Sequence, residues 1–211
     1  MKLSVLASLA AGAAALPNPL ARRQYSGDTY NQLTDGTPCR AVTLIYARGT
    51  TQAGNVGDAA AVGPLFFNAL AALIGESNLA VQGVTYAADI IGFLQGGDPA
   101  GSKLMASLVS TAATQCPNTK IVLSGYSQGG QLVHNAAANL TTALTNKINS
   151  VLIFGDPDDG QAVGSIPSSK VKIICHDGDL ICDGTIIVTS QHTNYQQDVG
   201  TAASWVAGKV A

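Results

Sequence analysis

The chain has 211 residues, 46% of them hydrophobic and 11% charged, with a formal net charge of −2. That supplies the buried core of a single domain. No basic cluster extends beyond Arg22-Arg23, which excludes the stripe a nucleic-acid partner needs and the polybasic patch of a membrane-surface protein.

The opening "MKLSVLASLAAGAAA" (1–15) reads as a secretory signal: Lys2, an apolar run too short to span a membrane, then small residues suited to cleavage. "LPNPLARR" (16–23) follows as a propeptide, so the mature chain is expected to start near Gln24 and to be secreted, with no membrane anchor. Residues 24–38 are polar and rich in Gly, Pro and Thr, and are expected to form a loosely held N-terminal arm before one catalytic domain over 39–211. Secretion permits disulfides, and the four cysteines allow three connectivities. Taking Cys175 with its near neighbour Cys182 leaves Cys39 with Cys116, each just ahead of an apolar run, so that bridge would tie two neighbouring strand starts.

Five short apolar, β-branched runs have the character of buried strands: 41–47, 79–86, 120–126, 150–156 and 170–175. Helical patterns lie between and after them, at about 58–75, 102–115, 128–145 and 196–209. Strands alternating with helices imply a three-layer α/β/α fold around a mainly parallel five-stranded sheet. "NLT" at Asn139 is a glycosylation sequon.

"GYSQGG" (125–130) holds Gly-x-Ser-x-Gly centred on Ser127, directly after a strand-like run and directly before a helical one. In that setting the motif forms a sharp elbow that lifts the serine hydroxyl above the sheet. A serine hydroxyl needs a neighbouring base before it attacks anything. His134 falls inside the helix after the elbow and reads as a packing or surface residue; His176 reads as exposed; His192, in a late loop, suits the chain order Ser, acid, His. For the acid, spacing leaves Asp156, at the end of a strand, level with Asp179, inside "CHDGDLIC" (175–182). A bridge across so short a loop stabilises by only about 2.4 kcal/mol, against about 4.5 for the longer one. Its use is then positional, and a fixed carboxylate is what a base's partner requires, which favours Asp179. Backbone N–H donors for a developing oxyanion are expected from Gln128 and from Thr50 in "ARGTTQAGN" (47–55), with the Thr50 hydroxyl adding a further donor.

Taken together, "ARGTTQAGNVG", "GYSQGG", "CHDGDLIC" and "IIVTSQH" resemble fungal cutinases in order and spacing over about residues 39–209. The resemblance implies a lidless α/β-hydrolase with Ser127, Asp179 and His192 as catalytic residues and Thr50 and Gln128 at the oxyanion hole. It also implies the bridges Cys39–Cys116 and Cys175–Cys182. Thr50 stands where many members carry serine, and Thr193 where an apolar residue is common. The activity implied is hydrolysis of cutin, a plant-surface polyester, and of short-chain soluble esters, by a monomer that needs no metal or cofactor. Ile90, Ile91, Phe93, Leu94, Ile186, Ile187 and Val188 are the candidates for an acyl groove, some of them expected in the core instead, because strands alternate their faces. Two other readings compete: an acetylxylan esterase of the same group, and a catalytically weak secreted protein that binds a surface or is recognised by a host.

Overall fold

Five apolar runs pair side by side in the computed structural model, which describes residues 24–211; the signal and propeptide expected over 1–23 lie outside the described residues. The strands are β1 (Val42–Ala47), β2 (Leu79–Gly83), β3 (Lys120–Tyr126), β4 (Ile148–Phe154) and β5 (Val171–Ile174). All pairs are parallel, in the order β2-β1-β3-β4-β5. The helices are α1 (Val62–Ile74), α2 (Ile90–Leu94), α3 (Pro99–Gln115), α4 (Gln128–Ala138), α5 (Thr142–Thr145) and α6 (Val199–Val210). Among the described residues no helix is long and apolar enough to cross a membrane.

Alternation along the strands sorts the core into two layers. Ile45, Leu123, Val151 and Ile153 pack with Met105, Leu108, Leu132 and Val133 of α3 and α4. Leu44, Tyr46, Val122, Leu152 and Phe154 pack with Phe66, Phe67 and Leu70 of α1 and with Ala202 and Val206 of α6. Both faces of the sheet are therefore covered, as a parallel sheet requires. The helix expected over 128–145 is two helices. α4 closes at Asn139, and Thr141 takes an extended backbone whose hydroxyl accepts from Leu144 N–H, so the chain restarts as α5. Cys39–Cys116 joins the approach to β1 with the end of α3, just before the neighbouring β3, at a Cα separation of 5.5 Å.

The arm over 24–38 is not loose. Tyr25 is fully buried, edge-on to Phe67 and Tyr30, and its hydroxyl donates to the Leu79 carbonyl at 3.2 Å. Asn31 bridges to Gln82, and Gln32 N–H donates to the Val81 carbonyl at 3.0 Å. The cause is the open edge of β2, whose unpaired backbone groups need partners that average polarity does not reveal. Tyr25→Ala should accordingly lower the unfolding free energy by about 3 kcal/mol or more, the cost of emptying a buried aromatic site. Urea unfolding monitored by circular dichroism checks this; a change under about 0.5 kcal/mol, the scale of a surface substitution, would restore the loose arm.

Candidate active site

Three glycines and one strained serine build the turn between β3 and α4. Ser127 has φ 56° and ψ −123°, a backbone that L-residues rarely hold. Its N–H donates to the Phe154 carbonyl at 3.0 Å, and its own carbonyl accepts from Gly130 N–H at 2.7 Å. A Cβ at Gly125 would collide with the Gly129 carbonyl, and one at Gly129 with the Ala47 carbonyl. Only glycines let α4 start this close to the ends of β1 and β3. Gly155, just past β4 at φ 56°, leaves room for an imidazole: a Cβ there would sit 2.9 Å from His192 Cε1.

His192 is 3% exposed and lies between two oxygen partners. Its Nε2 is 2.9 Å from Ser127 Oγ, and its Nδ1 is 2.8 Å from Asp179 Oδ2. Tyr126 stacks on the ring at 5.2 Å and donates its hydroxyl to the His192 carbonyl at 2.8 Å, which fixes the loop. Asp179 is buried within the stapled loop, closed by Cys175–Cys182 at a Cα separation of 6.2 Å. Its carboxylate accepts from Ile181 N–H at 3.0 Å and from the Tyr195 hydroxyl at 2.6 Å. Tyr195 escaped the sequence reading; its place three residues after His192 was the available signal.

The other candidates fall elsewhere. Asp156 is fully buried, but its Oδ2 meets His134 Nε2 at 2.9 Å, on the α4 side of the sheet. His134 is thus a buried partner of Asp156, not a surface group. Burial pulls its pKa down, yet the hydrogen bond and charge of Asp156, helped by Asp158 and the Ala162 carbonyl, hold it above the usual histidine value. His176, read as exposed, is half-buried: Nε2 meets Asp198 Oδ2 at 2.7 Å and Nδ1 meets the Gln191 carbonyl at 2.9 Å. His134, Asp156 and Asp158 offer three donor atoms within 4.8 Å of one another, the one such group among the described residues, and none of the three lines the groove.

The loop after β1 is cross-braced. Arg48 donates Nε to the Gln52 carbonyl at 2.6 Å and Nη2 to the Tyr86 carbonyl at 3.0 Å. Gln128 Nε2 donates to Thr50 Oγ1 at 2.9 Å and to the Asp89 carbonyl at 2.8 Å, so the first residue of α4 holds both sides of the opening. A cavity of about 480 Å³ runs from Thr50 and Ser127 between α2 and the 186–188 segment. Ile90, Phe93, Leu94, Ile181, Ile186, Val188 and Thr193 line it, with Thr51, Gln52 and Tyr126 among its unforeseen polar walls. Ile91 does not, because residues 90, 93 and 94 share one face of a short helix and 91 takes another. None of the expected groove residues enters the core: Ile90, Ile91, Leu94, Ile186, Ile187 and Val188 are each more than half exposed, since residues 185–188 form no strand.

The model of the cutinase family matches residues 38–210. The chain belongs to the cutinase family. It is 50% identical over 177 residues to a cutinase of Pyrenopeziza brassicae, covering 83% of this chain and 86% of that one. To a Monilinia fructicola cutinase it is 52% identical over 168 residues, 80% and 82% of the two chains. A Trichoderma reesei cutinase solved with a C11Y4 phosphonate inhibitor superposes with a TM-score of 0.81 at 42% identity, over 88% of this chain and 81% of that one. An acetylxylan esterase shares the fold, with a TM-score of 0.64 at 23% identity over 82% of this chain and all of the other.

Because His134 has a raised pKa when folded, its pairing contributes fully below the unfolded value of about 6.5 and is lost as pH rises through the folded value. The stability gap between wild type and His134→Asn, measured by thermal unfolding against pH, should therefore be widest near pH 5–6 and narrow above it; a gap that widens with pH would contradict the pairing. Replacing Cys175 and Cys182 by Ser should cost only about 2–3 kcal/mol of stability. The folded variant should nevertheless lose most of its kcat, and full turnover would show that the staple does not serve Asp179.

Proposed function

We propose that this cutinase-family protein is a secreted serine esterase that cleaves cutin and short-chain soluble esters through Ser127, His192 and Asp179. The observation that carries the reading is the hydrogen-bonded series Ser127–His192–Asp179 at the mouth of an uncovered apolar groove. Ser127 Oγ attacks the ester carbonyl as His192 Nε2 takes its proton, and Asp179 holds the imidazole by Nδ1 and balances the imidazolium charge. The collapsing tetrahedral intermediate expels the alcohol, which receives the proton from His192. Water, activated by the same imidazole, then hydrolyses the acyl-serine and restores the hydroxyl.

The oxyanion would rest on backbone N–H groups of Gln128 and Thr50 and on the Thr50 hydroxyl. Gln128 opens α4, where an N–H has no intrahelical acceptor. Its side-chain amide already donates to Thr50 Oγ1, which leaves the hydroxyl proton of Thr50 free for the substrate oxygen. Six aliphatic side chains stand exposed on the two rims, an arrangement a soluble protein rarely keeps without use. Those rims fit an aliphatic polyester surface, whereas an acetyl group on a sugar would leave them idle.

Ser127→Ala should abolish esterase activity, by about 10⁶-fold in kcat, with thermal unfolding nearly unchanged, and Thr50→Ala should lower kcat by about 10²–10³ with little change in KM. p-Nitrophenyl esters of increasing chain length, cutin film and acetylated xylan serve as substrates. Butyrate and longer acyl chains should outrun acetate, and film should outrun xylan. A Ser127→Ala protein with a tenth of wild-type turnover, or a preference for acetylated xylan, would overturn the reading.

A further inference from the structure

Tyr195 makes and breaks no bond in the scheme above, yet it touches the carboxylate on which the scheme depends. It is 1% exposed and opens the short turn that leads into α6. Its hydroxyl donates to Asp179 Oδ2 at 2.6 Å and accepts from His176 N–H at 3.1 Å. Burial first, and then the hydrogen bond to Asp179, push the phenol well above its usual range, so it stays a donor at every working pH. One ring face is covered by the His176 imidazole, stacked at 4.1 Å and 20°. Tyr126 and Phe154 meet the ring at 6.1 and 6.2 Å. The imidazole of His176 is itself clamped, by Asp198 Oδ2 at 2.7 Å and the Gln191 carbonyl at 2.9 Å.

The disulfide fixes the backbone around Asp179, but a carboxylate can still turn about its last side-chain bond. Two donors on different oxygens stop that rotation. Ile181 N–H takes Oδ1, and the Tyr195 hydroxyl takes Oδ2, the oxygen nearer to His192 Nδ1. Ile181 belongs to the stapled loop and moves with it. Tyr195 comes from outside the loop and refers the carboxylate to the rest of the fold.

We propose that Tyr195 is the positioning residue of the acid–histidine pair, its hydroxyl pinning Asp179 while the His176–Asp198 pair holds its ring from behind. This rests on the assignment of Ser127, His192 and Asp179 as the reacting set. The hydroxyl also shares the carboxylate charge. Without it that charge falls more fully on the imidazolium of His192, which is then favoured over the neutral base. The ionisable groups in contact with His192 are Asp179, Ser127, Tyr126 and, edge-on, Tyr195, with His176 and Asp198 behind the last.

The test is Tyr195→Phe, which keeps the ring and removes the donor. Turnover is expressed per active site titrated with a phosphonate, so that misfolded protein does not count. A small misplacement of the imidazole should lower kcat about tenfold or more, with KM within about twofold. The acid limb of the kcat profile should move to higher pH. His176→Ala should lower kcat in the same direction by a smaller factor, and should add nothing in the Tyr195→Phe background, as coupled residues behave. A wild-type kcat and acid limb in Tyr195→Phe overturn the proposal, as does a loss seen only in titratable sites or melting temperature. Equal effects of His176→Ala in both backgrounds overturn the role of the outer pair. Ser127→Ala measured alongside separates the two readings: if it stays active the reacting set is wrong, and if it is dead while Tyr195→Phe is unaffected only the positioning role fails.

Discussion

The left-handed backbone of Ser127, φ 56° with ψ −123°, is the constraint from which the site follows. A residue held there costs of the order of 1–3 kcal/mol and persists only where its surroundings over-determine it. Here they do so through the Phe154 carbonyl, the Gly130 N–H and the contacts of Gly125 and Gly129 with the chain beside them. The close start of α4 turns the serine hydroxyl toward the imidazole and brings Gln128 against the loop after β1. A bulkier residue at Gly129 would push α4 off β1, and one at Gly125 would push it off β3, and with it both the serine and the Gln128 bridge to Thr50.

Three histidine–carboxylate pairs share one chemical form and differ in place. His134–Asp156 ties α4 to the end of β4 inside the fold, and His176–Asp198 ties the stapled loop to the start of α6. His192–Asp179 alone has a hydroxyl on its second nitrogen. Among the described residues these are the acid–base side-chain pairs, each an ion pair only when its histidine is protonated, and none involves Lys or Arg. The two bridges divide along similar lines, the long one joining strand starts at the sheet's far end and the short one bracing the loop around Asp179.

The parallel sheet was legible because strands buried on both faces must be nearly continuous apolar runs, and five such runs stand out between helical patterns. The elbow was legible because its glycines and serine are set by local backbone geometry. What failed did so where a residue's partner lies far along the chain. The polar arm over 24–38 looked loose, since nothing local shows that Tyr25 fills a gap beside Phe67 or that Asn31 meets the β2 edge. Strand alternation would have put part of the segment 186–188 in the core, but no strand forms there and its side chains stand in the open as a rim.

Residue order by itself determined the layers, the turn at Ser127 and, with the short loop closed, the cysteine pairing. It could rank Asp179 over Asp156 only through the bridge around it. Tertiary structure decided which carboxylate meets which imidazole, since Asp156 and His134 are 22 residues apart and meet only where α4 packs beside the end of β4. It also decided that Tyr195 reaches Asp179 and that the aliphatic rims converge on the serine. Such pairings depend on the fold bringing distant residues within hydrogen-bond reach, and that distance is a property of the packed sheet and helices rather than of spacing along the chain.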